Sequence, residues 1–194
     1  MAGYTQRLHA FVPSRTYTVT DDALLWRDGN GGSGRLAYAD LAEVRLSYAP
    51  TRVQKNRYFM TLSTGHDKPL QISNEDYRGL ADFQDRSLSY RVFVDELHRA
   101  IAAANSSVCY RSGSSKAQHM LHWAITLFLI LVLATAAMVL LATGLYWLIL
   151  VKLAVIAYFL PLLRRYMRLN TPNAYDPLAL PESMLPPAPK VAET

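Results

Sequence analysis

The chain has 194 residues, which is enough for one domain of ordinary size and some additional segments. Its 20 Lys/Arg and 15 Asp/Glu residues give a formal net charge of +5, yet residues 1–108 hold 13 basic and 12 acidic residues and are nearly neutral. A nucleic-acid-binding domain concentrates basic residues on its folded part, so the charge distribution excludes nucleic acid as a partner. The single cysteine, Cys109, excludes an intrachain disulfide and a cysteine-rich zinc site.

Residues 1–13 form an N-terminal segment that lacks an apolar stretch of about 7–15 residues, so the sequence predicts no cleavable signal peptide. The next segment, 14–105, has the pattern of a small antiparallel sheet. Within it Val44, Leu46 and Tyr48 take one face and polar side chains the other, which is typical of a half-exposed strand. Further β-rich runs lie at 16–20, 24–27, 57–63 and 69–73, and the glycine-rich segment 28–34 predicts a hairpin loop.

The spacing of apolar residues becomes helical near residue 90. The apolar stripe comprises Tyr90, Phe93, Val94, Leu97, Ile101 and Ala104, while Asp95, Glu96, His98 and Arg99 fall opposite it. This pattern predicts an amphipathic helix that covers an open sheet or barrel end. The predicted fold class is therefore α+β, with a small antiparallel meander or partly open barrel that is capped by a C-terminal helix.

Three stretches resemble bacterial pleckstrin-homology-like domains: 36–44 (LAYADLAEV), 58–62 (YFMTL) and the closing Phe93-Val94-x-x-Leu97 helix. The resemblance covers about half of the chain and implies a bent sheet of about seven strands under one helix. It also implies a binding module, and many bacterial members are tethered to membranes by helical pairs. Phosphoinositide-binding members carry a basic loop between the first two strands. Here that loop reads Thr20-Asp21-Asp22, so we reject inositide binding there.

After a linker at 106–118, residues 121–163 carry only one charge, Lys152. The stretch is too long for one membrane span of about 20 residues and suits two, which predicts a transmembrane hairpin at 119–167 with helices at 119–142 and 145–167. Basic residues flank the hairpin on both sides: Arg111 and Lys116 before it, and Arg164, Arg165 and Arg168 after it. This distribution predicts a multi-pass protein of the bacterial inner membrane with both termini cytoplasmic.

Lys152 would be an intramembrane charge in this hairpin. Its ammonium could snorkel to the interface, or it could pair with a partner subunit or a lipid phosphate. His119 and His122 share a helix face, but further metal ligands are missing, so we interpret them as interfacial residues and predict no metal site.

The loop 49–57 contains Arg52, Lys55 and Arg57 and no acidic residue. These residues could contact anionic lipid head groups, as could Arg164, Arg165 and Arg168. A solvated basic loop is the alternative interpretation of the first group. Membrane lipids are accordingly one predicted class of partner.

The tail, 168–194, is rich in proline and excludes a long helix or a central strand. It nevertheless contains five apolar anchors, which are Tyr175, Leu178, Leu180, Met184 and Leu185. They predict that the tail docks in extended form on its own domain or on a partner. A disordered linker is the alternative.

Catalytic motifs are missing from the sequence: it has no nucleophile elbow and no phosphate-binding loop followed by a Lys-Ser/Thr pair. We therefore predict no enzyme activity, no catalytic residues, no cofactor and no small-molecule substrate. The predicted function is a membrane-anchored binding or scaffold module, such as an accessory or assembly subunit of a larger membrane complex. Its partners would be other membrane subunits or further copies of itself. The alternatives are a lipid- or stress-responsive regulator and an oligomeric transport component.

Overall fold

The computed structural model describes residues 3–51, 54–65, 67–80, 82–143 and 146–187. The chain divides into two compact units, one comprising Met1–Gly113 with Asn173–Thr194 and the other Ser114–Pro172. The strands of the first unit are β1 Gly3–Gln6, β2 Arg15–Val19, β3 Ala23–Asp28, β4 Ser33–Ala37, β5 Glu43–Tyr48, β6 Tyr58–Ser63, β7 Leu70–Ser73, β8 Glu75–Gly79, β9 Asp82–Asp85, β10 Cys109–Ser112 and β11 Asn173–Ala174. Its helix α1 spans Ser87–Ala104, and short 3₁₀ turns lie at Tyr38–Asp40 and Glu182–Met184.

The strands form two main sheets and a hairpin. One sheet has four antiparallel strands in the order β1-β2-β3-β4, and the other has five in the order β11-β10-β5-β6-β7. Strand β10 runs parallel to β5, whereas β11 runs antiparallel to β10. The hairpin β8-β9 connects the second sheet to α1. The first unit is therefore α+β.

Strand β5 follows the predicted alternation. Val44, Leu46 and Tyr48 are buried, whereas the residues between them are half-buried. Pairing of β5 with β6 places Leu46 opposite Met60, and both are fully buried. The period-two pattern of this strand is confirmed, because one face packs on the core and the other faces solvent.

Helix α1 covers the core with the predicted stripe, in which Tyr90, Phe93, Val94, Leu97 and Ile101 are buried. The Phe93 ring stacks on Tyr4 of β1 with ring centroids 5.2 Å apart. His98 differs from its prediction. It is fully buried, because it lies one turn after Val94 and therefore continues the apolar stripe instead of facing away from it.

The two sheets meet at a seam between β1 and β7, which is built from side chains. Residues 3–6, within the N-terminal segment 1–13, supply strand β1, and the Gln6 side chain is buried against β7. Its Oε1 accepts the backbone N–H of Ser73 at 2.7 Å, and its Nε2 donates to the carbonyl of Gln71 at 3.2 Å. The Tyr4 hydroxyl donates to the Ser73 carbonyl at 2.6 Å. These bonds replace the ladder that a further strand would provide.

The second unit contains helices α2 Lys116–Ala142 and α3 Tyr146–Leu169. The Ser114 N–H and hydroxyl both donate to the Asn170 carbonyl at 3.1 Å, so the two ends of this unit lie side by side. Pro161 lies inside α3, where it removes one backbone donor.

Two helices thus occupy the region of the predicted hairpin 119–167, but the prediction that they cross a membrane is wrong. In the part of the chain that the structure describes, no helix combines the length and apolar character that a bilayer crossing requires. The apolar block 121–163 is shared between two helices, each of which also includes polar residues. α2 begins at Lys116, and α3 ends with Arg164, Arg165 and Arg168. The apolar length of the whole block had suggested two membrane spans. Neither helix, in the residues that the structure describes, meets the requirement for a span by itself.

The predicted assignment to the bacterial inner membrane, multi-pass with both termini cytoplasmic, depends on this hairpin and is contradicted by the same finding. The side chains of Lys152, His119 and His122 lie outside the described residues, so the predictions about snorkelling and interfacial histidines stay predictions.

Candidate functional site

The tail returns to the first unit at Asn173 and extends its larger sheet. Ala174 is opposite Arg111 of β10, and Asn173 is opposite Ser112. One residue further, the Tyr175 N–H donates to the Tyr110 carbonyl at 3.3 Å. We call the surface that holds residues 173–187 the tail groove; it is formed by Arg91 and His98 of α1 together with Tyr110 of β10.

Tyr175 anchors one end of the docked tail. Its hydroxyl lies 2.8 Å from Nε2 of His98, and Nδ1 of His98 lies 2.7 Å from the Val94 carbonyl. A carbonyl can only accept, so Nδ1 carries the proton and Nε2 accepts the Tyr175 hydroxyl. The rings of His98, Tyr110 and Tyr175 form a cluster with centroids 5.7–5.9 Å apart. The anchor is therefore both aromatic and hydrogen-bonded.

Burial shapes the electrostatics of this cluster. It lowers the pKa of His98 to about 4, an effect that the hydrogen bond to Val94 and the nearby Asp95 only partly oppose. Burial also raises the pKa of Tyr175 above its usual range and that of Tyr110 to about 12. At neutral pH the site is accordingly an uncharged pocket that a phenol fills.

Arg91 anchors the other end of the tail. Its Nη2 lies 2.7 Å from both carboxylate oxygens of Glu182, and its Nη1 donates to the Pro186 carbonyl at 2.8 Å. The Arg91 side chain is 21% exposed, whereas that of Glu182 is 76% exposed. With the tail docked, the arginine is thus the less exposed partner of the pair, and the glutamate projects into solvent.

An apolar contact follows this ion pair. The 3₁₀ turn Glu182–Met184 lies against β5, and Met184, Leu185 and Pro186 are buried. Between the two anchors the chain stands away from the domain: Leu178 is 72% exposed and Leu180 is half-buried. Of the predicted docking residues, the structure buries Met184 and Leu185, half-buries Tyr175 and Leu180, and leaves Leu178 in solvent.

Two hydroxyls beside the tail have no hydrogen-bond partner among the described residues, those of Tyr90 and Tyr110. Tyr90 is fully buried, and burial raises its pKa, with Tyr4 and Tyr175 adding to the effect through their proximity. A buried hydroxyl without a partner has a free-energy cost of about 1–3 kcal/mol. The tail therefore leaves hydrogen-bonding capacity in the groove unused.

The predicted basic residues lie apart from the groove. Lys55 is exposed, and its carbonyl accepts the Tyr48 hydroxyl at 2.6 Å. The Arg57 guanidinium lies over the Phe59 ring, 4.5 Å from its centroid, and burial lowers the pKa of Arg57. Arg52 lies outside the described residues. Lipid contact at these positions stays a prediction.

In the second unit, Arg164, Arg165 and Arg168 are exposed near the C-terminal end of α3. Their contact with lipid head groups likewise stays a prediction. Within the described part of the chain, no three His, Cys, Asp or Glu residues converge as a metal site would require.

Arg91 and His98 were not predicted as functional residues. The position of His98, four residues after Val94, was a signal that could have identified it. Arg91 gave no such signal, because its partner Glu182 is 91 residues away in sequence.

Comparison of the chain with known protein families, curated proteins and solved structures found no match.

Proposed function

We propose that this protein is a non-enzymatic binding or scaffold module that works through protein–protein contact, as an accessory or assembly subunit of a larger complex. The observation that carries the proposal is the docked tail. A segment that returns after a long excursion is bound by a two-residue strand pair, an aromatic anchor and an ion pair. Strand addition with side-chain pockets is a common way in which domains recognise peptides.

The order of elements supports the same proposal. Four antiparallel strands are followed by the meander β5-β6-β7 and by a helix that covers the core. A bent sheet under a C-terminal helix is what the resemblance to bacterial pleckstrin-homology-like domains implies. We propose this membership as the structural basis of a binding role.

Affinity purification of the tagged full-length chain tests the function. We expect at least one other protein to co-purify in near-stoichiometric amount, measured by quantitative mass spectrometry against a tag-only control. An Arg91→Glu variant should lose this protein. The matched control is Arg99→Glu on the same helix, where Arg99 is 69% exposed and pairs with Asp95. Recovery of the bait alone would contradict a scaffold role.

A further inference from the structure

We propose that the tail groove is the recognition surface itself, that the docked tail is a displaceable internal ligand, and that the partner is a protein segment of the same chemistry. This inference rests on the proposed binding function and adds its surface and its ligand class. The segment would be extended and would carry a tyrosine, a carboxylate seven residues later, and then two aliphatic side chains followed by proline. In this chain the pattern is Tyr175, Glu182, Met184, Leu185 and Pro186.

The distribution of contacts along the tail makes it displaceable. Backbone pairing in β11 covers only two residues, whereas β5 and β6 pair over six. The middle of the tail is exposed at Leu178. The carboxylate of the ion pair is also exposed, and exposed pairs contribute only about 0–1 kcal/mol. The tail is thus held mainly at its two ends, at Tyr175 and at the buried pair Met184 and Leu185, and a competing segment must cover the same apolar surface when the tail leaves.

The groove side is formed independently of the tail. Val94 fixes the tautomer of His98 through Nδ1, so Nε2 stays an acceptor whether or not a phenol is bound. This acceptor is set by α1 itself, because Val94 and His98 are both residues of that helix. A preorganised surface of this kind loses little conformational freedom when a new segment binds.

The Tyr110 hydroxyl offers a further contact to a second ligand. Its ring lies beside that of Tyr175, and the hydroxyl has no hydrogen-bond partner among the described residues. A partner segment that brings a hydrogen-bonding group to this hydroxyl would remove a penalty that the tail leaves in place. The tail is therefore a partial match to the groove, which is a useful property in an internal competitor.

Tethering makes the tail an effective competitor in spite of its partial fit. A segment linked to its own site has an effective concentration on the order of millimolar. A free partner segment must exceed this competition, or the tail must first be released. We therefore expect weak binding of a free peptide to the wild-type chain and tighter binding when the tail anchors are removed.

The experiment uses the full-length chain and a fluorescently labelled synthetic peptide with the sequence of residues 173–187. The tail-released variant is Tyr175→Ala with Glu182→Ala, which leaves Arg91 and His98 intact. Fluorescence polarisation should show that this variant binds the peptide at least about tenfold more tightly than wild type does. Leu178→Ala, in the exposed middle of the tail, is the matched control and should behave as wild type.

Charge reversal then tests the contact itself. Adding Arg91→Glu to the released variant should abolish binding of the peptide. A peptide that carries Glu182→Arg should recover at least part of it. This reciprocal effect requires a direct contact between residue 91 and the peptide, which a general loss of stability would not produce.

Three outcomes would overturn the proposal. The first is equal affinity of wild type and released variant for the peptide, and the second is no binding to a released variant that circular dichroism shows to be folded. The third is the formation of wild-type dimers by exchange of tails. The last would assign the groove to a second copy. If the double variant does not fold, Glu182→Arg alone changes only an exposed side chain, places two like charges at Arg91 and should also release this end of the tail. A co-purifying protein retained by Arg91→Glu would leave the binding function standing and remove the groove as its site.

Discussion

The seam between β1 and β7 and the tail groove both complete a sheet edge, but in different ways. At the seam, Gln6 and Tyr4 are buried and bond to the backbone of β7. At the groove, the sheet is extended by a tail strand, and the Glu182 partner of Arg91 is exposed. The buried seam bonds cannot break without opening the core, whereas the Glu182 carboxylate can leave Arg91 while Tyr175, Met184 and Leu185 still hold the tail. The seam is therefore structural, and the groove is suited to exchange.

The largest effect is expected at the seam. Replacement of Gln6 by Ala leaves the buried Ser73 N–H without a partner and removes the part-buried bond to the Gln71 carbonyl, so we expect the free energy of unfolding to fall by about 3 kcal/mol. Urea denaturation measures this loss. The neighbouring Thr5→Ala is the control, because Thr5 bonds to Thr16 at the surface and its loss should have a much smaller effect. Equal midpoints for Gln6→Ala and wild type would show that the seam does not hold the sheets together.

The next effect is expected at His98, where the groove meets the core. Its pKa of about 4 in the folded state lies below the ordinary value of 6.5. The unfolded chain therefore binds the proton first as the pH falls, and stability is lost between pH 6.5 and 4 by about 3 kcal/mol. Above pH 6.5 this contribution is fully present. His98 contacts the Val94 carbonyl, the Tyr110 ring and the Tyr175 hydroxyl, and the nearby Asp95 carboxylate opposes the effect of burial only in part.

Urea denaturation across this pH range measures the slope. The variant His98→Gln should lose most of it, while His9→Gln, at an exposed position, should keep it. Release of the tail would expose His98 to water without unfolding the core. Hydrogen exchange at residues 173–175 should therefore increase as the pH is lowered, at higher pH values than those at which the urea midpoint falls. A slope that persists in His98→Gln would assign it to other groups.

The local strand and helix patterns of the seam and of the tail groove could be predicted from the sequence. The long-range contacts that build them could not. The alternation of Val44, Leu46 and Tyr48 fixes a strand face, because side-chain direction has a period of two. Gln6 and Ser73 are 67 residues apart, and no local pattern indicates that they meet. The strand β10, parallel to β5, likewise depends on tertiary pairing that no periodicity shows.

Composition misled in one region and was informative in another. The apolar block 121–163 indicated two helices, but apolar content averaged over a block did not establish that either helix could cross a membrane. In the tail, Tyr175, Met184 and Leu185 were recognisable as anchors because they interrupt a proline-rich segment. The residues that receive them could not be paired with them, since Glu182 is 91 residues from Arg91 and Tyr175 is 77 residues from His98.

The smallest effect is expected at the tail anchor itself. Replacement of Tyr175 by Phe keeps the ring in the cluster with His98 and Tyr110 and removes only the hydroxyl bonded to Nε2. The buried nitrogen then lacks a donor, which costs about 1–2 kcal/mol. If the tail can leave the groove without unfolding of the domain, the lost hydrogen bond weakens only the docking of the tail. Protease cleavage within residues 176–181 should then become several-fold faster, while the urea midpoint of the domain stays near that of wild type. A fall of the urea midpoint comparable to that of Gln6→Ala would show instead that the tail is part of the core.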